Sequence, residues 1–84
     1  MKTIYDFNWI VRDEYGLLYG FHSKPKAIDV GNVIFRKTKY YPIKGEERTL
    51  IPETSREFSF VYRYQLIHVS EIGEARKKHY EGSN

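Results

Sequence analysis

The chain has 84 residues, no cysteine, and fourteen Lys plus Arg against eleven Asp plus Glu, a formal net charge of +3. That is the size of one small domain, and the absence of cysteine excludes disulfides and thiolate zinc sites. Such a chain buries only about 60% of the surface it exposes when unfolded. The 17% aromatic content therefore supplies much of the packing, and little depth is left for a strongly desolvated active site.

Residues 4 to 12 alternate, with Tyr5, Phe7, Trp9 and Val11 on one side and Ile4, Asp6, Asn8, Ile10 and Arg12 on the other. Period two predicts a strand with one apolar face. Asp13 and Gly16 suit the first and fourth positions of a type I turn, and Leu17, Tyr19 and Phe21 resume the alternation. Residues 4 to 22 thus read as a β-hairpin.

Ser23-Lys24-Pro25-Lys26 is a polar loop, with Lys24 pushed toward an extended conformation by the following proline. Ala27 to Asn32 reads as a turn that leads into a strand from Val33 to Tyr41, closed by Pro42. Residues 42 to 57 contain two of the three prolines, Gly45 and the charges Lys44, Glu46, Glu47, Arg48, Glu53, Arg56 and Glu57. They predict an exposed loop, with room for Thr49-Leu50-Ile51 as a short edge strand.

The strongest strand pattern spans residues 58 to 69. Phe58, Phe60, Tyr62, Tyr64 and Leu66 fall on one face, and Ser59, Val61, Arg63, Gln65 and Ile67 on the other. After it, Ser70 is placed to cap a short helix. Glu71 and Glu74 sit near its positive end, Lys77, Lys78 and His79 near its negative end, and Gly82 beyond. Glu74 and Lys78 are spaced for an ion pair, Gly73 weakens the first turn by about 1 kcal/mol, and Ile72, Ala75 and Tyr80 are expected to face the sheet.

These elements predict a mainly β fold in one domain over residues 1 to 84: a small antiparallel barrel or curled sheet of four to five strands with a short C-terminal helix. Apolar residues never run beyond three together, as in Val33-Ile34-Phe35, whereas a spanning helix needs about 20. No membrane partner is expected. Asp6 and Asn8 fall where a signal peptide needs its apolar stretch, and a cytoplasmic location is the natural expectation. Oligomeric state is left open.

The histidines, His22, His68 and His79, lack zinc-module spacing, and no HExxH occurs. No metal or other cofactor is expected. His22 and His68 fall at strand ends, where acid–base chemistry with Lys or Tyr is conceivable, but no phosphate-binding or nucleophile motif accompanies them. Asp13-Glu14 and Glu46-Glu47 are more simply solvated turn residues than working acid pairs. A non-enzymatic binding module is therefore expected.

Charge points to its partner. Between residues 24 and 48, seven bases stand against three acids, a net +4. Arg36-Lys37-Thr38-Lys39-Tyr40-Tyr41 interleaves cations with aromatics, the combination by which small β-domains stack nucleobases and track phosphates. Alternation puts Arg36 and Tyr40 on one face and Lys37, Lys39 and Tyr41 on the other. With Val33 and Phe35 inside a barrel, Lys37 and Lys39 leave it near the rim while Arg36 and Tyr40 point outward, and Arg63 and Gln65 extend that outer surface. The expected nucleic-acid contacts are Arg36, Lys37, Lys39, Tyr40, Tyr41, Lys44 and Arg63. The competing expectation is a stoichiometric protein-binding inhibitor or adaptor that uses the same Tyr/Arg surface or an open edge strand. The plainest alternative is that these bases only solubilise a sheet face and blunt an edge.

Overall fold

A computed structural model describes residues 4–34, 36–52 and 58–82, with the backbone alone at Arg36. Strands β1 (Trp9–Arg12) and β2 (Leu18–Phe21) pair antiparallel, Trp9 opposite Phe21 and Arg12 opposite Leu18. Their turn follows from its residues. The Gly16 amide donates to the Asp13 carbonyl at 3.2 Å, and Asp13 Oδ1 accepts from the Tyr15 and Leu17 amides, each at 2.9 Å. Gly16 closes the loop at φ 84°, a left-handed conformation that a Cβ would strain.

The hairpin is shorter than the expected 4–22. Ile4–Asp6 forms a turn of 3-10 helix, and the Phe7 amide donates to the Ile4 carbonyl at 3.2 Å. This turn shifts the periodicity, so Ile4 and Phe7 enter the core while Tyr5 is 70% exposed. Within β1 the expected inward face is also reversed. Ile10 joins the core cluster, and Trp9 and Val11 belong to the opposite side of the sheet.

Strands β5 (Thr49–Leu50) and β6 (Leu66–His68) complete a four-stranded antiparallel sheet in the order β5-β2-β1-β6. The short β5 is at the edge, as its residues predict. One face contributes Ile10, Leu18 and Ile67 to the core, which is completed by Ile4, Phe7, Ile51, Phe58, Phe60, Val61 and Ile72. Gly20 lies on the same face, under the Phe7 ring, where an added Cβ would meet ring carbons at 2.4 Å.

Residues 58 to 65 do not form the expected strand. They fold into consecutive turns, with the Val61 amide donating to the Phe58 carbonyl at 3.0 Å and the Gln65 amide to the Tyr62 carbonyl at 3.1 Å. The cause lies in β1. The Arg12 guanidinium donates to the carbonyls of Val61 (2.6 Å), Gly16 (2.6 Å) and Phe58 (2.8 Å). Backbone groups that a strand would pair are occupied by a side chain, and the Gln65 amide oxygen takes the Tyr62 N–H at 2.9 Å. Phe58, Phe60 and Val61 still reach the core, whereas Tyr62 is exposed.

The C-terminal helix α1 spans Ile72–Gly82, after a 3-10 turn at Val69–Glu71. His68, rather than Ser70, caps this ending: its Nδ1 accepts the Ser70 amide at 3.2 Å. Ile72 is buried and Ala75 packs against the core, but Tyr80 is largely exposed instead of facing the sheet. The Lys78–Glu74 pair forms at 3.9 Å, as does Lys77–Glu81.

Of the segment 27–32 expected as a turn, residues 27–31 are strand and only Asn32 lies outside it. Strands β3 (Lys26–Gly31) and β4 (Arg36–Tyr41) pair antiparallel from Lys26–Tyr41 to Gly31–Arg36, as a two-stranded sheet of their own. The reversal follows Gly31, whose φ is 107°. Val33 and Ile34 occupy the tip, and the interior position expected for Phe35 lies outside the described residues. The expected barrel or curled sheet of four to five strands is thus replaced, among the described residues, by two antiparallel sheets of six strands and one helix. Closure would require β4 to hydrogen-bond with the larger sheet. It offers that sheet side chains instead, and the molecule is flat, 38 × 37 × 20 Å.

Candidate nucleic-acid interface

Because side chains alternate along a strand, the face of the larger sheet turned away from the core carries Val11, Tyr19 and Phe21. Opposite it stand Thr38, Lys39, Tyr40 and Tyr41 of β4. Tyr15, Arg48 and Tyr64 help to close a cleft of about 210 Å³ between the two sheets. Each aromatic wall has a local cause. Leu50 pairs with Tyr19 in the β2–β5 register, which carries Arg48 onto the Tyr19 ring, its guanidinium 4.2 Å from the centroid. Tyr64 enters on the turn held by Arg12, its amide donating to the Arg12 carbonyl at 2.8 Å.

Tyr64 has φ 65°, an uncommon conformation for an aromatic residue, of a kind that gathers at binding sites. Its carbonyl accepts the Tyr40 hydroxyl at 3.3 Å. Burial, and then the nearby Asp29 carboxylate, raise the Tyr40 phenol above its ordinary pKa of 10.0. Tyr40 is thus held against Tyr64 instead of pointing outward. Glu14 stands at the cleft wall, one oxygen 3.7 Å from Lys39 Nζ and the other 3.9 Å from Lys37 Nζ. The cations expected to leave freely at a barrel rim are partly neutralised by one acid.

Of the residues expected to make contact, Lys39, Tyr40 and Tyr41 line the cleft. Lys37 lies one step toward the ribbon tip, beside a second hollow that it shares with Lys39 and Glu14, and Arg36 pairs through its backbone with Gly31. Lys44 and Arg63 are not brought into this group. Lys44 is exposed in the turn closed by the Glu46 amide on the Ile43 carbonyl, at 3.0 Å, and Arg63 is exposed on a turn whose backbone bridges to Arg12. Arg63 and Gln65 therefore do not extend a strand surface. The expected set omitted Tyr15, Tyr19, Arg48 and Tyr64. Only the turn position of Tyr15, next to Gly16, was a local signal; the others need the tertiary pairing.

Each histidine has a partner within the fold. The His22 ring lies 5.1 Å from the Phe7 ring, tilted by 38°, and the His22 carbonyl accepts the Asn8 side-chain amide at 2.7 Å. His68 caps a turn and meets Trp9 edge-on at 4.7 Å, while His79 Nδ1 hydrogen-bonds the Tyr62 hydroxyl at 2.8 Å and ties α1 to the preceding turns. Among the described residues no helix is long and apolar enough to cross a membrane.

No protein-family model matches this chain, nor does any curated protein or solved structure in the comparisons made.

Proposed function

We propose that the chain is a non-enzymatic module that binds nucleic acid through the β3–β4 ribbon and the tyrosine-lined cleft at its side. The distribution of charge carries this reading. Residues 26–41 contain Lys26, Arg36, Lys37 and Lys39 against Asp29 alone, a net +3. That equals the formal charge of the whole chain, so the remainder is balanced. A cationic ribbon on a neutral body concentrates the attraction for a polyanion at one place.

Phosphates take the Lys37 and Lys39 ammonium groups in exchange for Glu14, a partly exposed pairing worth at most about 1 kcal/mol. Tyr41, an exposed aromatic at the cleft, supplies a face on which an unpaired base stacks, worth about 1–3 kcal/mol. Arg36 adds charge on the same strand, and Lys44 and Arg63 are outlying phosphate contacts. The test is fluorescence anisotropy with labelled single-stranded and duplex oligonucleotides. Affinity is expected to fall at least about tenfold between 50 and 200 mM salt as counterions are released. No anisotropy change with either oligonucleotide at 50 mM salt overturns the proposal.

One observation favours a protein partner instead. The larger sheet ends in β5 on one side and β6 on the other, and an added strand from a partner is the ordinary use of such edges. That mode predicts binding that changes little with salt.

A further inference from the structure

The cleft between the two sheets is walled by side chains that other contacts already hold. The Tyr64 amide donates to the Arg12 carbonyl at 2.8 Å, and the Tyr64 carbonyl accepts the Tyr40 hydroxyl at 3.3 Å. Two aromatic walls are thus set before anything binds, which lowers the cost of ordering them. Most of the charges are settled in the same way. Asp13 accepts the turn amides of Tyr15 and Leu17, Glu14 faces Lys39 and Lys37, and the Arg12 guanidinium is taken by three carbonyls. Arg48 is different. It is exposed, and among the described residues its guanidinium meets the Tyr19 ring and no carboxylate. Stacking uses the face of a guanidinium and leaves its N–H fork, the geometry that matches phosphate, for a ligand.

We infer that the cleft takes one unpaired nucleotide of a single strand, its base among Tyr15, Tyr40, Tyr41 and Tyr64 and its phosphate on Arg48. This rests on the nucleic-acid reading and names the unit of nucleic acid that the cleft receives. Size limits the occupant. A cavity of about 150 Å³ holds one benzene ring, and sites for drug-sized ligands begin at about 300 Å³. At about 210 Å³ the cleft fits one base, and neither a stacked pair nor a base pair. Chemistry limits it further. Aromatic walls favour a flat ring with π faces, and a cation without a carboxylate favours an anionic group attached to that ring. A base inside a duplex is covered on both faces and paired at its edge, so only a base freed from pairing reaches Tyr41, which is 46% exposed. A free mononucleotide shares this chemistry, and the test separates the two sources.

The test uses the full chain and a dye-labelled strand of five abasic sugar-phosphate units that carries no base, one central adenine or two adjacent adenines. Binding is followed by anisotropy at about 50 mM salt, where phosphate contacts are strong. One adenine is expected to tighten binding at least about fivefold, and the second to add less than about twofold. Tyr41→Leu and Arg48→Gln replace exposed side chains, and circular dichroism checks their folds. Tyr41→Leu is expected to abolish the gain from adenine and to keep affinity for the base-free strand within about twofold. Arg48→Gln is expected to weaken binding of every strand about threefold or more. Adenosine monophosphate, as a competitor, is expected to bind at least about tenfold more weakly than the one-adenine strand, because only the strand also meets the cations of the ribbon. Equal affinity for the free nucleotide overturns the strand as its source. Equal binding of base-free and one-adenine strands, or an undiminished adenine gain in Tyr41→Leu, overturns the cleft site and leaves the nucleic-acid reading standing as long as longer oligonucleotides bind. If those do not bind either, both fall.

Discussion

Glu14 on the β1–β2 turn faces Lys39 on β4 across 3.7 Å and Lys37 across 3.9 Å, so a single carboxylate masks two cations beside the cleft. These side chains are partly exposed, and the pairs hold the fold together only weakly. Glu14→Gln is expected to leave stability within about 0.5 kcal/mol of wild type. It is expected to tighten oligonucleotide binding about threefold or more and to steepen the salt dependence by about one phosphate contact. Unchanged affinity and slope would show that Lys37 and Lys39 do not meet phosphate.

Arg12 acts in the opposite way, as a structural cross-link. Its guanidinium satisfies carbonyls on Gly16, Phe58 and Val61, and the last two belong to core residues. Arg12→Ala is expected to cost about 2–4 kcal/mol in urea unfolding, and Arg12→Lys to recover little, because an ammonium lacks the planar fork. A loss below about 0.5 kcal/mol would mean that the 58–65 turns hold without it.

Gly20 and Phe7 form a pair that a double-mutant cycle can read. A Cβ at position 20 would overlap the Phe7 ring, and Gly20→Ala is expected to destabilise by about 1–3 kcal/mol through overpacking. Phe7→Ala alone is expected to cost about 3–5 kcal/mol. With the ring gone, the added methyl fills space, so the double variant should be more stable than the sum of the two losses by about 1 kcal/mol or more. Simple additivity would place Phe7 elsewhere than over Gly20.

Tyr40 predicts a dependence on alkaline pH. Burial first, and the Asp29 charge second, raise its folded-state pKa above 10.0, so the folded chain keeps a proton that the unfolded chain releases. The resulting contribution to stability is complete below the unfolded pKa and is lost as pH rises through the folded value. Tyr40→Phe removes the 3.3 Å bond to the Tyr64 carbonyl at a cost of about 1 kcal/mol at neutral pH. It should also lessen the fall in stability above pH 10. Identical alkaline slopes for variant and wild type, from denaturant melts across that range, would refute the assignment.

What the sequence determined by itself was the short-range chemistry. The Asp13–Gly16 turn, the small edge strand at Thr49–Leu50, the C-terminal helix with its Glu74–Lys78 pair and the mainly β character all follow from neighbouring residues, whose interactions are complete within a few positions. Tertiary structure decided the rest. Residues 58 to 65 alternate as a strand does, yet they turn because the Arg12 guanidinium, 46 and 49 positions away, takes the carbonyls of Phe58 and Val61. The phase of β1 was displaced by a turn at Ile4–Asp6, and Tyr19, Arg48 and Tyr64 meet β4 only after distant strands have paired. Alternation reports that a backbone is able to extend. Which donors claim its carbonyls, and which face is covered, depends on groups that only the folded chain brings within reach.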